Sequence, residues 1–161
     1  MKLRRLEQKD AERMHAWMHD ESVVEHMGTD FSKKSYSDCI NFIVKSQNDE
    51  KNFHMAVVDD TDVYMGTVSL KNIDQDEKRA EFAITVSREA MGKGYSIYAM
   101  REIISIAFTK LDLEEVYWYV SRKNQRAVRF YDKHKFERIS TPKWAELNDL
   151  YYWYHVRKNY N

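Results

Sequence analysis

The sequence predicts an α/β protein of the α+β type, with one mixed, mostly antiparallel sheet flanked by about four helices. Residues 79–86 alternate apolar and polar side chains, as a strand does, and residues 97–111 repeat apolar side chains at helical spacing. Two further strand patterns, 53–58 and 63–70, are separated by a short turn of Asp and Thr, which favours a hairpin. Hairpins require antiparallel pairing and strand–helix–strand crossovers require parallel pairing, so the sheet is mixed.

The elements are expected in the order β-α-α-β-β-β-α-β-α-β-β. The strands are expected at residues 2–6, 53–58, 63–70, 79–86, 115–120, 136–140 and 150–157. The helices are expected at residues 10–18, 35–45, 97–111 and 124–134. Asp10 and Asn124 are predicted to cap the first and last of these helices, because short polar side chains there accept hydrogen bonds from first-turn amides.

Length and composition restrict the class of protein. The chain has 161 residues, 43% of them hydrophobic, so we expect a single domain over residues 1–161 with one buried core. Lys plus Arg and Asp plus Glu both total 26, and zero formal charge argues against nucleic acid or an anionic membrane surface as a partner. A single Cys, no membrane-spanning apolar run and no secretory leader predict a cytoplasmic protein.

The segment 89–96 holds two of the four glycines and joins a predicted strand to a predicted helix. First-turn amides of a helix have no partner within the helix, and glycines allow an anion to approach them closely. The segment therefore predicts a phosphate or pyrophosphate cradle, with Lys93 as an added positive charge. The alternative explanation is that Gly92 and Gly94 only permit a tight turn. The spacing is neither that of a Walker A loop nor that of a Rossmann fingerprint.

A second motif follows about thirty residues later, and it gives the chain a family resemblance. The pattern Asn-x-x-Ala-x-x-Phe-Tyr-x-x-x-x-Phe is matched by Asn124, Ala127, Phe130, Tyr131 and Phe136. With the loop residues Met91, Gly94 and Ser96, it resembles the GNAT superfamily of N-acetyltransferases, which transfer an acetyl group from acetyl-CoA to an amine. The opening segment 3–17 and the pair Gly66 and Val68 are similar to the branch of ribosomal-protein-alanine, spermidine and nucleotide-amino-sugar acetyltransferases.

The resemblance implies the fold and the cofactor contacts. It implies a sheet with a parallel, splayed pair of strands at its centre, and a pantetheine arm paired with the strand backbone around Ile84 and Val86. Asn124 and Ala127 are the implied cofactor contacts of the last helix. The pyrophosphate is expected at the loop Met91, Gly92, Lys93, Gly94, Tyr95 and Ser96. Met91 replaces the Gln or Arg of the family and is expected to contribute its backbone N–H, and Ser96 replaces a second small residue.

Two side chains are candidates for the chemistry of acetyl transfer. Tyr131 occupies the family's usual position for the general acid that protonates the CoA thiolate, and a phenol is suitable for that proton transfer. Its alternative role is that of a core aromatic residue on a helix face. Glu81 lies on the strand face opposite Phe82 and is the candidate general base. The alternatives are a solvated Glu81 paired with Lys or Arg, and a reaction without a dedicated base.

Other patterns favour structural roles. His15 and His19 have the i, i+4 spacing of zinc ligands but lack the accompanying Glu and a third ligand, so no metal is expected. The aromatic run 150–155 is either a stacking platform for a substrate or an ordinary sheet edge, and an exposed edge would permit a homodimer.

The predicted function is acetyl-CoA-dependent acetylation of the primary amine of a small molecule, an amino sugar or a polyamine, by direct attack. The alternatives are acetylation of a protein N-terminal α-amine and a CoA-binding regulatory module without turnover.

Overall fold

In the computed structural model, which describes residues 1–145 and 149–159, seven strands form one mixed sheet in the order β1-β2-β3-β4-β5-β7-β6. The strands are β1 Lys2–Arg5, β2 Phe53–Val58, β3 Tyr64–Asp74, β4 Arg79–Val86, β5 Glu115–Ser121, β6 Glu137–Ile139 and β7 Tyr151–Arg157. The helices are α1 Ala11–Met18, α2 Glu21–Val24, α3 Tyr36–Ser46, α4 Tyr95–Thr109 and α5 Gln125–Lys133. The predicted mixed sheet is confirmed.

The element boundaries show where sequence patterns were sufficient. The strands at 53–58 and 79–86 agree at both ends, whereas β3 continues to Asp74, beyond the apolar pattern that ends at residue 70. The short helix α2 lies in a segment for which no helix was predicted, and the side chain of Asp20 caps it by accepting the amide of Ser22. Helix α4 begins at Tyr95, two residues before the predicted start at residue 97. The apolar pattern does not mark these two residues, because the buried residues of the helix begin only at Ala99.

The predicted cap at Asp10 is wrong. Its side chain makes no cap hydrogen bond to α1 and is 2% exposed. Both of its oxygens instead accept hydrogen bonds of 2.8 Å from the Arg4 guanidinium, and one also accepts the amide of Glu7 at 2.8 Å. A buried carboxylate needs such partners, since an unpaired charge in the interior is costly. The pair therefore fixes the connection between β1 and α1.

The two faces of the sheet are covered by different helices. On one face, α4 packs on β3, β4 and β5, and its buried residues are Ala99, Met100, Ile103, Ile104 and Ala107. On the other face, α1 and α3 form a second cluster whose buried strand residues come from β2 and β3. Because the buried residues of that second cluster include none from β5 or β7, the aromatic side chains of those two strands line an open pocket there.

The sheet splits at its centre. Strands β4 and β5 are the parallel pair, with Cα partners Arg79 and Glu115, Ala80 and Val116, and Glu81 and Tyr117. Beyond the last of these pairs β4 continues to Val86 and β5 to Ser121 without further pairing between them. The splayed parallel pair is thus confirmed, and the split begins one residue after Glu81.

One glycine in β3 is required by close packing. A Cβ atom at Gly66 would lie 2.3 Å from the carbonyl oxygen of Thr85 and 2.8 Å from the Cα of Val86, both backbone atoms of β4. At Gly28, by contrast, an added Cβ would have no atom within 4 Å. Backbone atoms cannot rotate away as a flexible side chain can, so only the first position excludes a larger residue.

We expect Gly66→Ala to lower the free energy of unfolding by about 1–3 kcal/mol, the usual cost of forcing an extra carbon into a packed interior. Urea unfolding followed by circular dichroism measures this loss, with Gly28→Ala as the matched control that should unfold like the wild type. Equal loss in both variants, or none in Gly66→Ala, would contradict the close approach of β3 and β4.

His54 on β2 is a partly buried histidine on the second face. Its ring lies 4.7 Å from that of Phe42 on α3, and its Nδ1 is hydrogen-bonded to the Ser69 hydroxyl at 2.6 Å. Burial lowers the pKa of His54 below its ordinary value, although the charge of Asp49 partly opposes the shift. The folded protein therefore resists protonation of this ring more than the unfolded chain does.

We expect acidification from about pH 7 through 6.5, the ordinary histidine pKa, to destabilise the fold, because only the unfolded chain then takes up this proton. The destabilisation is absent above that pKa and grows until the pH reaches the lowered pKa of the folded state. Urea midpoints measured across this range should depend less on pH in His54→Gln than in the wild type. The control His26→Gln, at an exposed position, should keep the wild-type slope; identical slopes in all three proteins would refute the assignment.

Candidate active site

The glycine loop forms the start of α4. Gly92 and Gly94 have φ angles of +76° and +88°, in the left-handed region that favours glycine, and Gly94 is the N-cap residue. A Cβ at Gly92 would have no atom within 4 Å, and one at Gly94 would meet only the Met1 side chain, at 3.6 Å. Within the described chain no side chain caps the helix, so the first-turn amides after Gly94 have no side-chain partner.

The structure corrects one detail of the predicted cradle. The amide of Met91 is not a free donor, because it donates to the carbonyl of Arg88 at 3.2 Å, and the amide of Lys93 donates to Ala90 at 3.4 Å. Among the described residues, the amides of Gly92 and Gly94 and of the first-turn residues Tyr95 and Ser96 donate no hydrogen bond. Of the six residues in the predicted loop, Met91 and Lys93 therefore have engaged amides.

The remaining predicted cofactor residues lie on either side of the split. Ile84 and Val86 are on the part of β4 that has diverged from β5. Asn124 caps α5, since its side chain accepts a hydrogen bond from the amide of Ala127 at 3.2 Å, which confirms the predicted capping role. Ala127 packs against the main core cluster. The loop, the split strand and the start of α5 thus provide the backbone surfaces that the sequence analysis assigned to one ligand.

Tyr131 lies among aromatic rings on the face covered by α4. Its ring centroid is 5.3 Å from that of Trp118 and 5.1 Å from that of Tyr154, and only 9% of the residue is exposed. Within the described residues its hydroxyl makes no hydrogen bond, whereas the hydroxyl of Tyr154 donates to Asp132 at 3.0 Å. Burial raises the pKa of Tyr131 well above its ordinary range, so the phenol keeps its proton at neutral pH.

Glu81 lies on the opposite face of the sheet. Its neighbour Phe82 is 3% exposed in the core, and the carboxylate of Glu81 points the other way, with 14% of its side chain exposed. One oxygen is 3.7 Å from the Lys71 ammonium and the other accepts from the Asn72 side-chain amide at 3.4 Å. The predicted face is confirmed, and the alternative pairing with a lysine is present as well.

An open pocket of about 360 Å³ surrounds Glu81. Its other lining residues are Asn72, Tyr117, Tyr119, Trp144, Ala145 and Trp153. The register of β5 with β7 places Tyr119 opposite Trp153, so alternate residues of both strands face this pocket while Trp118 and Tyr154 face the core. Burial raises the pKa of Tyr117 to about 12, and the nearby charge of Glu81 adds to the shift. We name this cavity the aromatic pocket.

Sequence analysis missed most of the aromatic pocket. Trp153 belongs to the predicted aromatic run, and the predicted sheet edge is wrong, because β7 is paired with β5 on one side and β6 on the other. Trp153 lines the pocket and Tyr154 is in the core. Asn72 enters because an irregularity in the pairing of β3 and β4, with φ of +51° at Asn72, interrupts the ladder there. Trp144 lies in the connection before β7, and its position two residues after the single proline is the only signal that the sequence offers.

A larger open pocket of about 850 Å³ lies between α1 and residues 87–89, beyond the end of β4. Charges of both signs line it, namely Glu12, Asp20 and Arg88, together with Arg13 and Glu89, which form an ion pair with each other. The rings of His15 and His19 lie 4.5 Å apart on α1. Among the described residues there is no group of three potential metal-ligating side chains. No described helix is both long enough and apolar enough to cross a membrane.

Comparison with known protein families identifies the class of protein to which this fold and site belong. Residues 1–137 match the model of the acetyltransferase (GNAT) domain, so the chain belongs to this family. The family resemblance in the sequence is thereby confirmed. The protein is an N-acetyltransferase, an enzyme of the acyl-CoA-dependent acyltransferases.

Individual proteins of known sequence or structure are similar to this chain over most of its length. An uncharacterised N-acetyltransferase, p20, of Bacillus licheniformis is 29% identical over 139 residues, covering 84% of this chain and 78% of the relative. A spermidine N(1)-acetyltransferase of Escherichia coli (strain K12) is 29% identical over 133 residues, covering 83% of this chain and 70% of the relative. The crystal structure of a Vibrio cholerae spermidine N-acetyltransferase in complex with CoA and spermine superposes with a TM-score of 0.80 at 22% identity, covering 97% of this chain and 94% of that one.

Proposed function

We propose that this enzyme transfers the acetyl group of acetyl-CoA to a primary amine of a small cationic molecule of the polyamine class. The observation that carries the proposal is a carboxylate, Glu81, beside the split between β4 and β5 and inside a pocket walled by aromatic rings. A carboxylate attracts an amine that is protonated in water and can accept its proton. The spermidine acetyltransferases among the relatives support the same class of acceptor.

The glycine loop supports acetyl-CoA as the donor. Two glycines at positive φ and the uncapped first turn of α4 leave amides and a positive helix end available to a pyrophosphate. Lys93 adds a positive charge on the same loop. The diverged edge of β4 at Ile84 and Val86 would pair with the pantetheine arm, since that strand edge has no partner strand there. The bound donor supplies a thioester carbonyl for attack.

The two candidate catalytic side chains lie on opposite faces of the sheet. Glu81 would accept the proton of the incoming ammonium, which frees the nitrogen lone pair for attack on the carbonyl carbon. A backbone amide of β4 would donate to the carbonyl oxygen as negative charge develops on it. As the new C–N bond forms and the C–S bond breaks, Tyr131 would give its phenolic proton to the leaving thiolate. Two protons leave the nitrogen in all: Glu81 takes the first and releases it to solvent, and the second, lost once the C–N bond has formed, replaces the proton that Tyr131 gives to the sulfur, so protons and charges balance.

The test of this function is thiol release from acetyl-CoA with a panel of amines: spermidine, spermine, an amino sugar on a nucleotide, and a peptide with a free N-terminus. We expect turnover with the polyamines. In Glu81→Gln, kcat should fall by about 10²-fold or more through loss of the base, and Glu77→Gln in the exposed turn should match the wild type. Turnover with the nucleotide sugar or the peptide alone would overturn the assignment of the acceptor.

Tyr131 and Tyr154 separate a catalytic hydroxyl from a structural one in the same aromatic cluster. We expect Tyr131→Phe to lower kcat by about 10²-fold with an unchanged free energy of unfolding, because its hydroxyl has no partner among the described residues. Tyr154→Phe removes the bond to Asp132, and should lower that free energy by about 1 kcal/mol while keeping the rate. Thiol release and urea unfolding measure the two effects. A wild-type rate in Tyr131→Phe would exclude it as the general acid.

A further inference from the structure

The walls of the aromatic pocket form one continuous cluster. The ring centroids of Tyr117 and Trp144 are 4.9 Å apart, those of Trp144 and Trp153 are 5.8 Å apart, and those of Tyr119 and Trp153 are 4.8 Å apart. The first two pairs are edge-to-face, whereas the rings of Tyr117 and Trp153 are stacked at an interplanar angle of 26°, so Trp144 stands across these two rings. Angled rings around a common space are an arrangement that binds cations, because each ring offers its electron-rich face.

The pocket already shows that one of its rings binds a cation. The guanidinium carbon of Arg79 lies 4.4 Å from the centroid of the Trp144 ring, well within the distance of about 6 Å at which such contacts are attractive. Arg79 is held by its place on β4, where it pairs with Glu115 of β5. The guanidinium thus occupies one face of the Trp144 ring, and 46% of Trp144 is exposed.

The aromatic pocket is also lined by a charged side chain, that of Glu81. Glu81 supplies the carboxylate, and its contacts are a 3.7 Å ion pair with the half-exposed Lys71 and a 3.4 Å hydrogen bond from Asn72. An ammonium group entering from the aromatic side can therefore approach Glu81 in competition with Lys71. Aromatic walls and one carboxylate favour a cation with an apolar surface over an anionic or a neutral polar ligand.

We propose that the aromatic pocket is a cage for an alkylammonium group, and that Trp144 is the residue that determines specificity for such acceptors. This inference rests on the proposed function, since the caged group is the one that Glu81 then deprotonates. The walls contact the methylene carbons next to the charged nitrogen, and the hydroxyl-rich surface of a sugar lacks both that apolar surface and the adjacent charge. A nucleotide carrier would in addition bring phosphates towards Glu81.

The probe is choline, whose quaternary ammonium has no proton to donate, compared with its neutral isostere 3,3-dimethylbutan-1-ol. Binding to the protein without acetyl-CoA is followed by tryptophan fluorescence and by calorimetry. We expect choline to bind at least about tenfold more tightly than the isostere, and to compete with the amine acceptor in the thiol-release assay. Equal binding of the two probes would overturn the cage, because only charge distinguishes them.

Substitutions at Trp144 and Arg79 test the location of the site, because they are expected to change the affinity for choline in opposite directions. Trp144→Leu should weaken choline binding by about five- to tenfold, while Trp144→Phe, which keeps a smaller ring, should lose less. Arg79→Gln removes the cation stacked on Trp144 and should tighten choline binding by about threefold. A merely structural role of Arg79 would loosen the pocket and weaken binding, so weaker binding in Arg79→Gln contradicts the proposal, as does unchanged binding in Trp144→Leu.

The outcomes separate this inference from the proposed function. Choline binding with the expected variant effects, but no acetylation of any amine, would support the cage and refute the transfer to polyamines. Acetylation of polyamines together with equal binding of choline and its isostere would support the function and refute the cage. Circular dichroism of each variant checks that the fold is intact, which the exposure of Trp144 leads us to expect.

Discussion

The site depends on the failure of two neighbouring strands to remain paired. Strands β4 and β5 are in register over Arg79–Glu81 and Glu115–Tyr117, and then diverge while both continue for several residues. A continuous sheet is closed by its own backbone hydrogen bonds, so a ligand can approach it only from one face at a time. The split removes that restriction, because a group lying between the strands can be contacted from both faces and by the free strand edge.

The division of roles between the two faces follows from the alternation of side chains. Along β5, Trp118 faces the core, and the residues on either side of it face the aromatic pocket. Tyr131 packs against Trp118, and burial raises its pKa, so its phenol is protonated at neutral pH. Glu81 pairs in register with Tyr117 and therefore faces the other side, where the cation can enter from solvent. The alternation of side chains along β4 and β5 therefore leaves the proposed acid and the proposed base on opposite faces of the sheet.

The sequence was informative wherever local pattern decides the outcome. Alternation in β4 was sufficient to assign Glu81 and Phe82 to opposite faces, and a helix-start motif was sufficient to locate Asn124. The sequence was uninformative where one polar group has more than one possible partner. Asp10 has the residue type of a cap, but Arg4 from β1 holds both of its oxygens, and no local rule predicts which bond is made. The engaged amide of Met91 likewise depends on the turn at 88–90, which the motif does not encode.

The aromatic pocket was beyond prediction for a related reason. Its walls come from an irregularity in β3, from two strands whose register brings Tyr119 opposite Trp153, and from the connection that holds Trp144. The region that matches the family model ends at residue 137, after Tyr131 and the glycine loop but before Trp144 and Trp153. The groups proposed for the chemistry therefore lie in the part shared with the family, and two walls of the acceptor pocket lie outside it. Such a division would allow the acceptor to change through residues 144 and 153 without altering the side chains proposed to transfer the protons, and it would make the aromatic pocket the determinant of the acceptor specificity proposed here.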